Sequence, residues 1–271
     1  GSIAADITRG GQLTPNVEAI LALRADTVVT WTEPAEAVQV LERAGLRVVT
    51  LINNPSTREQ QESNLRIVGN LIDRSDRVAR VLAEQERARS SVQRTLENVS
   101  ASEQPRVLYF RSFKQGMYPG GNGSFQDYWI RLAGGRNVAT ALSGISTQVT
   151  VEQVVAWNPE VILLGTFDNA TPADVYANPA FAGIAAVRNR RVYVLPHGGY
   201  RWDPGSHESH LTFLWAARVL HPARARFDVP AEMRTFYEFL YGIRLTEETT
   251  NEILALQANR EAAGYVASFA R

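Results

Sequence analysis

TVVTWTEPAEAVQVLERAGLRVVTL, residues 27–51, carries the pattern on which the fold turns. Thr27-Val28-Val29-Thr30-Trp31 is a β-branched run that reads as a buried strand. Pro34 to Ala44 reads as a helix with Ala37, Val40 and Leu41 on one face, and Gly45 ends it. Leu46-Arg47-Val48-Val49-Thr50-Leu51 is a second strand. Strand, helix and strand in direct succession seed a parallel sheet.

Upstream, Thr14-Pro15-Asn16 reads as the cap of a short helix over Val17–Leu23. Downstream, Arg58–Ile72 is helical, and Ser75 or Asp76 then caps a long helix running to about Val99. Its apolar positions are Val78, Val81, Leu82, Ala88, Val92, Leu96 and Val99, at three-and-four spacing. At ~1.5 Å per residue such a helix spans about 35 Å. Periodicity alone fits both a strut between two bodies and a long surface helix. Ser100–Pro105 is a polar break. Beyond it come strands over Arg106–Phe110, Val161–Gly165 and Arg191–Leu195. Interleaved with them are helices over Phe125–Ala133, Thr150–Trp157, Glu208–Leu220, Ala231–Tyr241 and Thr246–Leu256, with a helical turn over Asn178–Ala186. The expected fold class is α/β: two lobes with parallel sheets flanked by helices, joined by one long helix. The expected divisions are an N-terminal lobe over 1–75, the linking helix over 76–100 and a C-terminal lobe over 101–271.

Composition excludes several function classes. Lys+Arg and Asp+Glu are 28 each, so no net positive charge marks a nucleic-acid partner. Lys114 is the only lysine, so a cation lining a site is expected to be a forked guanidinium. With no cysteine, disulfides, thiolate metal sites and cysteine nucleophiles are out of reach. No stretch has the length of a membrane span or the pattern of a signal peptide, and Gly1-Ser2 resembles a cloning scar.

The run from Pro15-Asn16-Val17-Glu18 to Asp26-Thr27-Val28-Val29 resembles a signature of ABC-transporter solute-binding proteins for iron siderophores, haem and cobalamin. Ala25 stands where that family usually has proline. Thr150-Val151-Glu152 through Asn158-Pro159-Glu160-Val161-Ile162-Leu163 is similar to the same signature in the second half. Asn178-Pro179-Ala180-Phe181 through Arg191-Val192-Tyr193-Val194-Leu195 and Leu214–Pro222 resemble two further family runs. The resemblance spans almost the whole chain in order. It implies two lobes with the ligand between them and a stiff helical connector. The family normally begins with a further strand, helix and strand, which do not fit before Pro15, so the resemblance implies a reduced or trimmed N-terminal lobe.

In open parallel sheets, ligands sit outside the carboxyl ends of the strands. The residues there give the candidate ligand set Trp31, Arg111, Phe113, Tyr118, Phe167, Tyr200, Arg201 and Trp202. Aromatic faces suit planar catecholate or macrocyclic ligands, and guanidinium suits their anionic oxygens. Tyr118 and Tyr200 carry hydroxyls able to bond a ligand or to meet iron as phenolate. Any single aromatic in the set reads equally well as core packing. Gly120–Gly123 reads as a pocket-edge turn, since no GxxxxGK[ST] pattern is present. His207 and His210, three apart, are a weak metal pair against the plainer reading that they line a helix start. The resemblance assigns permease docking to one acidic residue per lobe, here Glu36 and Glu208. No nucleophile–base constellation supports an enzyme.

The implied function is the periplasmic solute-binding component of an ABC importer, carrying an iron siderophore or similar metal chelate. Haem, cobalamin and molybdate or another metal oxyanion are alternatives, and the readings from another class are a non-binding structural or interaction domain and, behind it, a metal-dependent enzyme. No intrinsic cofactor is implied. The expected partners are the chelate and an inner-membrane permease dimer, with no nucleic acid and a monomeric chain. The expected location is the periplasm, or an extracytoplasmic lipid-anchored position.

Overall fold

The computed structural model describes residues 15–270. Thr14 and the first fourteen residues of the expected N-terminal lobe lie outside the described residues. Asn16 caps the first helix, its side chain accepting from the Ala19 amide at 3.3 Å.

The N-terminal unit runs α1 (Val17–Ala22), β1 (Val28–Trp31), α2 (Ala35–Arg43), β2 (Val48–Leu51) and α3 (Arg58–Leu71). β1 and β2 pair in parallel with Val28 opposite Val48, as the strand–helix–strand pattern requires. The expectation of buried strands does not hold here: Val29 and Trp31 are exposed on one face, and β2 is only half-buried. With only two strands, this unit buries few apolar side chains, among them Ile20 of α1 and Leu41 of α2.

α4 (Ser75–Leu96) follows. Neither Ser75 nor Asp76 caps it; Ser75 instead donates its hydroxyl to Asn70 Oδ1 at 2.6 Å. Its buried stripe is Val81, Leu82, Gln85, Ala88, Val92 and Leu96, close to the apolar spacing, with Val78 and Val99 half-buried at the ends. α4 is packed along its length rather than spanning solvent. Val81, Ala88, Val92 and Leu96 share one core with Trp129, Leu214 and Trp215.

The larger body then runs β3 (Arg106–Ser112), β4 (Tyr118–Pro119), α5 (Phe125–Leu132), β5 (Arg136–Asn137), α6 (Val151–Trp157), β6 (Val161–Leu164), α7 (Pro172–Tyr176), α8 (Ala185–Arg188) and β7 (Val192–Val194). It closes with α9 (Ser209–Leu220), α10 (Val229–Tyr241), α11 (Glu247–Ile253) and α12 (Tyr265–Phe269). Strand order is β4-β3-β6-β7, with β5 also on β3. β3, β6 and β7 are parallel. β4 is antiparallel, a short strand that ends just before the Gly120–Gly123 stretch. Alternation along the strands sorts the core into two layers. Val107, Tyr109, Val161, Leu163 and Tyr193 join the core containing α4, α5 and α9. Leu108, Phe110, Ile162, Leu164, Val192 and Val194 face the other way. A sheet covered on both faces explains the near-continuous apolar strand sequences.

Ile162 is fully buried on the central strand. Replacing it with alanine is expected to cost about 2–5 kcal/mol through lost transfer energy and the cavity left behind. Urea denaturation of wild type and Ile162→Ala checks this; an unchanged midpoint would show that the second layer repacks freely.

Candidate functional site

Because β3, β6 and β7 are parallel, their carboxyl ends open on one rim. β3 delivers Arg111, β6 is followed by Phe167, and β7 is followed by Tyr200 and Arg201. Ring contacts join them. The Arg201 guanidinium carbon lies 3.6 Å from the centroid of the Phe167 ring and 5.5 Å from that of Tyr200. Arg111 lies 5.2 Å from Phe167 and 5.8 Å from Tyr118. Five of the eight candidate ligand residues thus form one cluster around Phe167. The Nε atoms of Arg111 and Arg201 are buried without a hydrogen-bond partner. Among the described residues, neither arginine has an ion-pair partner. Phe167 and Tyr200 are 36% and 42% exposed, so the cluster opens to solvent.

The loop after β7 is fixed from beneath. Glu208 is fully buried, and its carboxylate accepts from Trp202 Nε1 at 2.7 Å, Tyr237 Oη at 2.9 Å and Tyr241 Oη at 2.5 Å. Burial alone would raise its pKa, but hydrogen bonds from His207, Tyr241, Trp202 and Tyr237 outweigh burial and hold it below the usual carboxylate range. Tyr237 also accepts from the Gly199 amide at 2.9 Å. A Cβ at Gly198 would collide with the Tyr237 hydroxyl and Glu208 Oε2, so the chain can pass this carboxylate only as glycine. Further along, the Asp203 carbonyl accepts from Gln126 Nε2 at 3.0 Å and Trp129 Nε1 at 3.2 Å. The Ser206 carbonyl accepts from Gln61 Nε2 at 2.7 Å and Gln85 Nε2 at 2.9 Å.

Three candidate ligand residues stand elsewhere. Trp202 is fully buried with its indole spent on Glu208, so it supports the rim instead of lining it. Phe113 packs on Phe110 and Phe181, with ring centroids 5.5 and 6.1 Å away. Its amide, with those of Lys114 and Gln115 and the Ser112 hydroxyl, donates to Asp168 Oδ2. Trp31 lines a concavity of about 110 Å³ on the N-terminal unit with Ile20, Pro34 and Leu41. The surface role expected for Glu208 also fails, because a fully buried carboxylate cannot meet a permease. Glu36 does lie exposed, in the first turn of α2.

The histidines do not form a metal pair. His207 Nε2 lies 2.6 Å from Tyr241 Oη. His210 is buried against Phe236, ring centroids 4.2 Å apart, and burial lowers its pKa to about 3. No group of three or more His, Cys, Asp or Glu among the described residues could hold a metal ion.

Sequence reasoning missed Gln61, Gln85 and Tyr109. Gln85 had a signal: an amide within the apolar stripe of α4, between Leu82 and Ala88, must find a buried partner. Tyr109 had none, being one more aromatic in a core strand.

Residues 3–197 match the periplasmic binding protein family. The molybdate-binding protein MolA of Haemophilus influenzae is 25% identical over 248 residues, covering 83% of this chain and 70% of MolA. A periplasmic solute binding protein of Veillonella parvula superposes with a TM-score of 0.81 at 26% identity, over 91% of this chain and 75% of that one. MolA bound to molybdate superposes with a TM-score of 0.76 at 22% identity, over 86% and 77% of the two chains.

Glu208→Ala is expected to destabilise the protein by about 3 kcal/mol, since it strands the buried donors of Trp202 and Tyr237. A carboxylate held below its unfolded pKa stabilises above the unfolded value, and that contribution is lost as pH falls through the folded value. Wild-type stability should therefore fall more steeply than that of the variant as pH drops below the carboxylate range. Parallel urea curves at every pH would remove Glu208 from this role.

Proposed function

The chain belongs to the periplasmic binding protein family, solute-binding components of ABC importers, and from that premise we propose that its solute is an anionic metal species held between Arg111 and Arg201. The observation that carries this reading is the pair of half-buried guanidiniums with no carboxylate partner. A partly desolvated charge without a counter-ion is costly, and a bound anion removes that cost. Phe167 lies against both cations without taking their N–H donors, which leaves those donors for ligand oxygens. Tyr118 and Tyr200 flank the pair and add hydroxyl donors.

A metal oxyanion is the first choice. It is compact and carries its charge on oxygens that two guanidiniums can share, and the relative MolA is molybdate-binding by name. A ferric siderophore or another anionic chelate is the second reading, favoured by the exposed faces of Phe167 and Tyr200. The protein's own part is capture and delivery, without a chemical step. On the N-terminal unit, Glu36 is the proposed acidic contact for a permease.

Isothermal titration calorimetry with molybdate, a ferric catecholate, haem and cobalamin tests the reading. One anionic member should bind saturably. Arg111→Ala and Arg201→Ala should each weaken it by about 10–100-fold, the worth of one charge-assisted contact. Wild-type affinity in both variants, or binding of cobalamin alone, would refute an anion site at this rim.

A further inference from the structure

Beneath the arginine pair lies a carboxyl group that the ligand reading does not use. Asp203 is fully buried. Its Oδ2 accepts from Tyr109 Oη at 2.7 Å, and its Oδ1 has no hydrogen-bond partner. The backbone around it is fixed, because the Asp203 carbonyl takes both Gln126 Nε2 and Trp129 Nε1. The main chain that carries the carboxyl is therefore held in place, and the carboxyl itself is closed off from solvent.

The charged and titratable groups that face it are few. From β3 comes the Tyr109 hydroxyl, and the fields of Arg111 and Arg201 both reach that hydroxyl. From the loop after β7 come Arg201 and His197, whose charges act on the carboxyl itself. α5 presents only the neutral Gln126 and Trp129. Asp203 forms no ion pair within 4 Å among the described residues, so it feels Arg201 at a distance and is not locked to it.

We infer that Asp203 is the proton-accepting partner of the anion site, so that capture of an anion between Arg111 and Arg201 is coupled to protonation of the Asp203 carboxyl. The inference rests on the anion reading above. The physical chain is short. A carboxylate and a bound anion would be two like charges sharing one pair of cations. The anion takes up the field of Arg201 that otherwise favours the ionised carboxylate. In a buried position nothing else compensates, so the carboxyl binds a proton. Burial already pushes its pKa up, against the pull of the Tyr109 hydrogen bond, Arg201 and His197. Added negative charge pushes in the same direction as burial.

The sign follows by linkage. A ligand that raises the pKa of a group binds more tightly as pH falls, between the free and the bound pKa values. If a whole proton is taken up, affinity changes about tenfold per pH unit. Asp203 also biases which solutes are accepted: its negative charge disfavours anions at high pH, and its unpaired oxygen disfavours apolar occupants above it.

Molybdate titrations of wild type in two buffers of different ionisation enthalpy, at several values between about pH 5 and about pH 8, read the proton number directly. Wild type is expected to take up close to one proton in part of that range, with Kd falling as pH falls. Asp203→Asn should abolish the uptake and flatten the pH dependence, leaving only what molybdate itself contributes. Tyr109→Phe removes the hydrogen bond that favours the ionised carboxyl, so it should move the uptake to higher pH, a second reading that does not require Asp203→Asn to fold. Wild-type binding without proton uptake overturns the assignment and leaves the anion site standing. Undiminished uptake in Asp203→Asn also overturns it, since the proton then goes to another group such as His197. No binding of molybdate or any other anion by wild type overturns the anion reading and the inference together.

Discussion

Three side-chain donors converge on the buried carboxylate of Glu208, and the placement of the cation rim follows from that convergence. The indole of Trp202 reaches forward six residues along the chain, while Tyr237 and Tyr241 come from successive turns of α10. The carboxylate therefore ties the loop after β7 to a helix that belongs to the main core. Tyr200 and Arg201 lie between the Gly198–Gly199 passage and Trp202. Once Trp202 is drawn under the surface, the residues before it are turned outward. Two further ties, Gln126 and Trp129 on the Asp203 carbonyl and Gln61 and Gln85 on that of Ser206, hold the rest of the loop. A loop fixed at so many points presents its arginine with little ordering left to do on binding.

The same ties change the meaning of the long helix. α4 carries half of its surface into the larger core, and Gln85 within that stripe grips the loop below the rim. Gln61 on α3 grips the same carbonyl. The elements between β2 and the C-terminal body thus connect the two units through a buried hydrogen-bonded point as well as through the chain. A large rotation of the β1–β2 unit would either break the Gln61–Ser206 bond or drag the rim loop along.

Much of this was legible before the fold. Parallel β1–β2, the long amphipathic helix and the three core strands of the larger sheet follow from apolar runs and spacing. The strand-end rule drew Arg111, Tyr118, Phe167, Tyr200 and Arg201 into one set, and they meet. Trp202 was grouped with its neighbours because sequence shows adjacency and not direction. Alternation of direction along a tight loop is set by what pulls from below, and Glu208 was six residues away in sequence with its partners about thirty further on. Glu208 itself looked like a surface acid, as most glutamates are. Nothing local distinguishes a glutamate whose donors arrive from another helix. Short elements such as Tyr118–Pro119 and Arg136–Asn137 were invisible because two-residue strands exist only by pairing with β3.

The chain carries many arginines, and several sit in ordinary surface pairs, such as Arg87 with Glu232 and Arg224 with Glu103, each at 2.6 Å. Arg111 and Arg201 differ in what restrains them. A carboxylate partner would consume the edge donors of a guanidinium; an aromatic partner takes its face and leaves the edge free. Phe167 lies against both cations, holding them in place without neutralising them. Asp203 is fully buried and bonded to Tyr109, so it tempers the charge of Arg201 without filling the site. A core salt bridge built from the same residues would have been closed on itself. With a ring against the cations and the acid withdrawn, the arginine N–H donors are left for a partner that comes from outside the chain.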